Sequence, residues 1–388
     1  MMDAAIVGWG HTRFGKMDAL SIEELIIAAA QEAIGDAGIS PSDIDALWLG
    51  QFNSGLIPDG FCAPMILGAA PELRFKPATR CENACASGAT AVYAALDAIE
   101  SGRAKIALVV GAEKMTSQNT EGVTRALAGA SYQREEQGIS FPGIFAGIAK
   151  SYAAHYQDPS EAQAHIAAKN HKNAMDNPLA HFNRLLSVDF CRQVSDKNPL
   201  IADPLKLSDC SPISDGAAAL ILVHKDLLGS FRRAVGFRAV QHVTDLLPIS
   251  RRDMLAFEGP RRAIEQAYTQ AGITVDDLDF AEVHDCFTIA ELLITEALGL
   301  AKQGEGSQAI CAGETGAQGR LPINRSGGLK AKGHPVGATG VSMHVMAARQ
   351  LVGEAGALQI PNAELGLCFN MGGAAVANFV SVLEPIKT

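Results

Sequence analysis

Helical and extended patterns of apolar and polar residues alternate along this chain. The first helical pattern starts behind a capping box formed by Ser21 and Glu24 and ends at Gly38. The second starts at Pro260 and ends at Gly272. A strand-like segment of mixed apolar character follows each of them. Helices that alternate with strands in this way predict an α/β fold built in layers.

Two pairs of segments repeat in the same order. The segment "AGISPSDIDALWLG" (37–50) reappears as "AGITVDDLDFAEVHD" (271–285). The segment "CASGAT" (85–90) aligns with "HPVGAT" (334–339), and each opens a helical pattern of small and apolar residues. We therefore infer two similar α/β halves related by a pseudo-twofold axis. Such an axis would bring two helix N-termini face to face, one with a thiol and one with an imidazole.

A segment of different amino-acid composition separates the two halves. Residues 121–204 are rich in Gln, His, Asn, Tyr and Arg, which is typical of an insertion over the surface. This insertion is either a lid over a substrate or a plain solvated excursion. Residues 209–223 are again largely apolar, as expected of a buried strand, and we assign this strand to the first half. The predicted domains are an N-terminal half (1–120 plus 205–228), an inserted loop domain and a C-terminal half (229–388).

Composition and charge exclude several classes of protein. Of the 388 residues, 48% are hydrophobic and 19% are charged, and the net charge of −10 comes without a Lys/Arg block that could bind nucleic acid. No apolar run approaches the roughly 20 residues of a membrane span. The start "MMDAAIVGWG" has no export signal and the tail "EPIKT" is no peroxisomal address, so we expect a cytoplasmic protein.

The cysteine and glycine spacings give no metal or nucleotide motif. The eight cysteines are irregularly spaced without a CxxC pair, which predicts free thiols and no metal site. The segment "VGWGHTRFG" fails as a dinucleotide fingerprint because its third glycine position is Arg13.

Cys85 is the first candidate for chemistry. It lies in "ENACASGATA" at the predicted start of a helix, where unpaired N–H groups favour a thiolate and lower the thiol pKa. The small residues around it leave room for a substrate; the alternative is an ordinary buried cysteine. His334, in the glycine-rich "NRSGGLKAKGHPVGATG", is the best base for this nucleophile, and its alternative role is a helix cap.

Further candidate catalytic residues lie at the ends of two predicted strands. The segment "EVHDCFT" places His284, Asp285 and Cys286 at the end of an apolar strand, where polar side chains are out of place unless they are used. The segment "LGLCFNMGGAAVANF" places Cys368 before a Gly-Gly turn. These groups would supply imidazoles and thiols for proton transfer.

These motifs resemble those of the thiolase family. "NACASGATA" is similar to the family's nucleophile motif, "SGGLKAKGHPVGATG" to its Gly-His-Pro motif, and "SPISDGAAA" to the turn before the last strand of its N-terminal half. The His-Asp-Cys-Phe sequence resembles the sterol-carrier-protein type. The resemblance covers essentially the whole chain. It implies the thiolase fold, in which two duplicated α/β halves form a five-layered α-β-α-β-α arrangement with an inserted loop domain.

The resemblance also implies an acyltransferase that makes or breaks carbon–carbon bonds in acyl-CoA thioesters. Cys85 would carry the acyl group, and His334 would activate it. His284 would hold the oxygen of the enolate, and the Cys85 backbone N–H would contribute to a second oxyanion hole. Ser211 would contact the pantetheine arm. No cofactor beyond CoA is implied.

The group that moves the α-proton has two candidates. Ordinary thiolases use the cysteine of a Cys-x-Gly motif, which matches Cys368. The sterol-carrier type uses the cysteine after His-Asp, which matches Cys286, and we favour Cys286. Asn370 stands where Cys-x-Gly has its glycine, so the ordinary second oxyanion hole is altered.

Other functions on the same fold are the alternatives. A β-ketoacyl synthase would use Cys85, His284 and His334 but needs no second cysteine. A partner-dependent aldolase would lack the nucleophilic cysteine, although an OB-fold/zinc-ribbon partner protein stays possible for this chain. A non-catalytic acyl-CoA-binding protein would lack at least one of Cys85, His284 and His334. The family also implies a homodimer or homotetramer.

Overall fold

The computed structural model describes residues 2–387, which form one mixed α/β body. The strands are β1 (Ala4–His11), β2 (Ala46–Gly50), β3 (Ala78–Cys81), β4 (Ile106–Glu113), β5 (Leu200–Ala202), β6 (Leu205–Lys206), β7 (Gly216–His224), β8 (Ala234–Thr244), β9 (Phe280–Val283), β10 (Gly366–Gly372) and β11 (Ala377–Ile386). The helices are α1 (Ile22–Ala37), α2 (Ser87–Glu100), α3 (Thr120–Ala128), α4 (Gln133–Glu136), α5 (Phe141–His155), α6 (Ser160–Ala174), α7 (Val188–Arg192), α8 (Glu258–Ala271), α9 (Thr288–Ala297), α10 (Gly306–Cys311) and α11 (Thr339–Leu351).

The strand order confirms the two duplicated halves. The sheet runs β3-β2-β4-β7-β1-β8-β11-β10-β9. Within it, β2-β4-β7-β1 of the first half corresponds to β9-β10-β11-β8 of the second. In both halves the first pair is parallel and the other pairs are antiparallel. The halves join through a short antiparallel contact in which Ala5 faces Gly236 and Ile6 faces Val235.

The helices complete the layers on both sides of the sheet and between its halves. Helix α1 packs on β1 and β7, and helix α8 packs on β8 and β11. Helices α2 and α11 pack against each other and against strands of both halves. This gives the predicted order of layers, with α1 and α8 outermost and the α2/α11 pair in the middle.

The predicted ends of α1 and α8 are found at or near their expected positions. Ser21 Oγ accepts the Glu24 N–H at 3.2 Å, and the Glu24 carboxylate accepts the Ser21 N–H at 2.7 Å, so the capping box is confirmed. Gly38 and Gly272 end the two helices in the left-handed conformation, with φ of 69° and 65°. Helix α8 starts at Glu258, two residues before Pro260. The proline fits there because the first N–H groups of a helix have no helical acceptor.

The middle pair of helices meets end to end through glycines. A Cβ added to Gly88 at the start of α2 would lie 2.8 Å from the Gly337 carbonyl oxygen. A Cβ added to Gly340 at the start of α11 would lie 2.3 Å from the Ala89 nitrogen. Because side chains cannot fit there, the small residues of both motifs serve the close approach of the two helix N-termini. Their meeting is what the sequence repeat predicts.

The insertion is a helical layer that shares the core of the second half. Helices α5 and α6 pack against α9. Phe145, Ala162 and Ile166 of the insertion are fully buried in the same cluster as Leu293. The alternative of a plain solvated excursion is therefore wrong. Strand β7 pairs with β1 and β4, as the apolar texture of 209–223 predicts, while the exact domain boundaries stay a prediction. Within residues 2–387, no helix has the length and apolar character to cross a membrane.

Candidate active site

Cys85 lies in a tight turn directly before α2. Ala84, which precedes it, has φ of 50°, an unusual value for a residue with a side chain. The Ser87 hydroxyl holds the turn, since it donates to the Ala84 carbonyl at 2.6 Å and accepts the Asn83 N–H at 3.0 Å. The first helical residue is Ser87, so the thiol precedes the first turn of the helix.

Burial sets the protonation state of this thiol. It raises the pKa of Cys85 to about 12, because dense protein surroundings disfavour the charged thiolate, and the Glu113 carboxylate acts in the same direction. The backbone N–H groups of Gly373 and Cys85 oppose this rise. The prediction of a lowered pKa is therefore wrong, because desolvation outweighs the partial charge at the helix end. The resting thiol is protonated and needs a base.

His334 can be that base, because its hydrogen bonds fix its tautomer. Its Nδ1 lies 2.7 Å from the Thr339 hydroxyl oxygen. The Thr339 hydroxyl donates its only proton to the Pro335 carbonyl at 3.0 Å, so it can only accept from His334. These hydrogen bonds assign the hydrogen of the neutral His334 ring to Nδ1 and leave a lone pair on Nε2. Burial, followed by Lys332, lowers the pKa of His334 to about 3, which leaves the imidazole neutral at pH 7.

His284 completes a compact cluster of three functional groups. It follows β9, and its ring lies 5.1 Å from that of His334 at an angle of 88°. Burial, followed by His334, holds the pKa of His284 well below 6.5. One donor atom from each of Cys85, His284 and His334 lies within 4.8 Å of the others, so these three could reach a single metal ion. The structure thus brings together residues that are far apart in the sequence.

Asp285 positions the glycine-rich loop that leads to His334. Its carboxylate accepts the backbone N–H groups of Leu329 at 2.6 Å and Lys330 at 3.2 Å. Burial and the neighbouring Glu291 raise the pKa of Asp285 to about 7. Asn170 of α6 donates to both carboxylates, at 2.7 Å and 2.8 Å, and so ties the insertion to the site. Asn170 is not predictable from the sequence as a site residue, because its only local signal is the polar composition of the insertion.

The two candidates for proton transfer at carbon occupy different places. Cys286 is buried, and its thiol pKa lies well above 9 because of burial and the adjacent Cys85. Cys368 is buried in the apolar core with Phe280 and Val341, and its pKa is raised by burial and by Glu282 rather than by Cys85. Of the two thiols, Cys286 is the one whose pKa Cys85 raises, and this favours Cys286 for the proton transfer.

Ser211 lines a cavity of about 180 Å³ beside this cluster. Its backbone N–H donates to the Cys286 carbonyl at 3.0 Å, so the cavity adjoins the His-Asp-Cys segment. Three cationic side chains and no acidic one line the cavity: Arg184, Lys197 and Lys330. The other walls are largely apolar and include Phe182, Leu186, Phe190, Leu207 and Pro212. The cavity therefore suits a ligand with an apolar arm and anionic groups.

Comparison with known protein families defines the class of this chain. The family described as "Thiolase, N-terminal domain" matches residues 4–226. The family described as "Thiolase C-terminal domain-like" matches residues 241–385. Together these matches span nearly all of the molecule. The chain belongs to the thiolase family.

Individual relatives extend over the same length. Acetyl-CoA acetyltransferase of Methanothermobacter thermautotrophicus is 38% identical over 377 residues, which cover 96% of this chain and 97% of that protein. Sterol carrier protein 2 of Oryctolagus cuniculus is 32% identical over 410 residues, which cover 98% of this chain and 72% of that protein. The structure described as "Ltp2-ChsH2(DUF35) aldolase" has a TM-score of 0.85 over 100% of this chain and 98% of that chain. At 23% identity it shows the fold alone. The predicted family and fold class are confirmed.

Proposed function

We propose that this protein is an acyl-CoA C-acyltransferase of the thiolase type, which cleaves or forms 3-ketoacyl-CoA through an acyl group on Cys85. The observation that carries the proposal is the meeting of Cys85, His284 and His334 at the paired helix N-termini. The likeness to acetyl-CoA acetyltransferases, which covers 96% and 88% of this chain in two relatives, supports acetyl as the transferred group.

Acylation in the cleavage direction starts at the protonated thiol. Nε2 of His334 takes the Cys85 proton as the sulfur attacks the 3-keto carbon of the substrate. The backbone N–H groups of Cys85 and Gly373 are the donors for the oxygen that becomes negative in this step. The bond between C2 and C3 then breaks. Its electron pair passes into the enolate of the leaving acetyl-CoA, and the acyl group stays on Cys85.

Proton return to carbon and transfer to CoA complete the cycle. His284 donates from Nε2 to the enolate oxygen, and the Cys286 thiol protonates the carbon, which releases acetyl-CoA. The thiol of a second CoA gives its proton to the Cys286 thiolate and attacks the acyl carbon. The Cys85 thiolate leaves and recovers its proton from His334. Because burial makes Cys286 a weak acid, its thiolate is a strong base for the reverse step.

The cavity at Ser211 would hold the pantetheine arm, with its cations toward the phosphate end of CoA. No cofactor beyond CoA enters the proposed reaction. A homodimer or homotetramer, an OB-fold/zinc-ribbon partner protein and a cytoplasmic location are carried forward from the sequence as parts of this proposal.

A turnover assay with matched cysteine variants tests the function. The protein is incubated with acetoacetyl-CoA and CoA, and acetyl-CoA is quantified by chromatography. We expect each acetoacetyl-CoA consumed with one CoA to give two acetyl-CoA. Cys85→Ser should abolish this product, whereas Cys311→Ser, which changes an exposed thiol, should retain it. Equal turnover by wild type and Cys85→Ser would contradict the proposal.

A further inference from the structure

Asn370 of β10 lies at the centre of the active site, between the two helix starts. Its side chain is 1% exposed. Its amide nitrogen lies 3.2 Å from the Cys85 carbonyl oxygen and 2.9 Å from Nδ1 of His284. A Cβ added to Gly340 would lie 2.5 Å from its amide oxygen, so the close packing at the helix start confines this side chain.

The hydrogen bonds of this amide decide which nitrogen of His284 carries hydrogen. The Cys85 carbonyl oxygen can only accept, so the part of Asn370 that faces it is the NH₂ group. The same NH₂ group faces Nδ1 of His284, which must therefore accept and carry no hydrogen. A neutral imidazole in this position has its hydrogen on Nε2. The amide oxygen of Asn370 has no partner within residues 2–387, so its contacts in the site are those of a donor.

We propose that Asn370 is a positioning residue that holds His284 as the Nε2–H tautomer. The two neighbouring histidines are then fixed in opposite states: His334 offers a lone pair to the Cys85 thiol, and His284 offers an N–H to the substrate oxygen. The catalytic consequence rests on the proposed function, since the enolate oxygen is what requires this donor. The tautomer itself follows from the geometry alone.

The same residue keeps the cluster from acting as a metal site. A zinc ion needs a lone pair from each histidine, and a metal-bound histidine donates its other N–H to a carboxylate or carbonyl. Cys85, His284 and His334 are close enough to share one ion, but Asn370 gives Nδ1 of His284 a donor where an acceptor is required. An aspartate at position 370 would supply the acceptor and free Nε2 for the metal.

The substitution Asn370→Asp therefore tests the proposal by two readouts that do not depend on turnover. In ¹⁵N-histidine NMR of the full chain, we expect His284 protonated at Nε2 in the wild type and at Nδ1 in Asn370→Asp, with His284→Gln used for assignment. In a chelator competition with Zn²⁺ alone, we expect Asn370→Asp to bind about 10–100-fold more tightly than wild type, the range typical of such supporting carboxylates. A wild-type His284 protonated at Nδ1, or equal zinc affinities, would overturn the proposal.

Kinetics then connect the tautomer to the reaction. We expect Asn370→Asp to lower kcat for acetyl-CoA condensation by about 10²–10³-fold, the usual effect of losing one oxyanion donor, with a smaller change in KM. If Asn370→Asp does not fold, Asn370→Gly removes the amide without adding charge and should leave His284 as a mixture of tautomers. An Asn370→Gly protein with His284 still protonated only at Nε2 would overturn the proposal. If the NMR and zinc results hold and the wild type transfers no acyl group, the proposed function fails and the positioning role stands.

Discussion

Replacing Thr339 by valine removes the hydroxyl that orients His334. Valine keeps the branched shape of threonine but cannot hydrogen-bond. The change deletes the acceptor of His334 Nδ1–H at 2.7 Å and the donor to the Pro335 carbonyl at 3.0 Å. Both partners are buried, and Thr339 itself is 1% exposed.

The size of the effect follows from the cost of an unpaired N–H. A buried donor without an acceptor costs about 1–3 kcal/mol. The cost is greatest when His334 has taken the proton of Cys85, because hydrogen bonds from charged donors are the stronger ones. The lost hydrogen bond therefore raises the free energy of the transition state for acylation more than that of the bound substrate. Each 1.36 kcal/mol added to this barrier slows the step tenfold. We expect Thr339→Val to acylate about 5- to 160-fold more slowly, with little change in substrate affinity.

Rapid quenching measures this step directly. Enzyme and acetoacetyl-CoA are mixed for defined times, quenched in acid and analysed by mass spectrometry for acetylated protein. Thr339→Ser, which keeps the hydroxyl, is the matched control and should remain near the wild-type rate. A folded Thr339→Val protein that acylates at the wild-type rate would refute the role assigned to this hydroxyl. Equal losses in both variants would also refute that role, because serine keeps the hydroxyl and valine keeps the methyl group of Thr339.

Three further predictions concern packing, the second thiol and pH. Gly88→Ala should lower the free energy of unfolding by about 1–3 kcal/mol in urea titrations, since the new methyl meets backbone atoms, whereas Gly35→Ala, with open space around it, should be neutral or stabilising. Cys286→Ala should lose about 10²–10⁴-fold in acetyl-CoA condensation because it lacks the group that moves the α-proton, whereas Cys368→Ala should condense acetyl-CoA at the wild-type rate; the reverse pattern would contradict the assignment. Because burial lowers the pKa of His334 to about 3, this base stays neutral from pH 5 to 8, and an acid limb near pH 6.5 in the acylation rate would contradict its assigned state.

The sequence predicts the parts of the fold that local patterns and the repeat encode. The capping box at Ser21 and the glycine at 272 mark helix ends because cap geometry depends on neighbouring residues alone. The alignment of "CASGAT" with "HPVGAT" predicts that two helix N-termini meet, and the structure brings Cys85 and His334 together there.

Features that depend on long-range packing could not be predicted in the same way. The pKa of Cys85 is set by how much protein surrounds it, and no local pattern reports that burial. Asn170 contacts Asp285 across 115 residues of sequence, so its role appears only in the folded chain. Asn370 could be recognised as a departure from Cys-x-Gly, but its contact with His284 requires the pairing of β10 with β9.

Whether Cys85 carries the acyl group is measured by the mass of the protein and its peptides after brief exposure to acetoacetyl-CoA. We expect one added acetyl group, located on the peptide that contains Cys85, and its removal when CoA is added, with acetyl-CoA formed in equal amount. An acetyl group on another cysteine, or turnover without any acylated protein, would rule out Cys85 as the nucleophile.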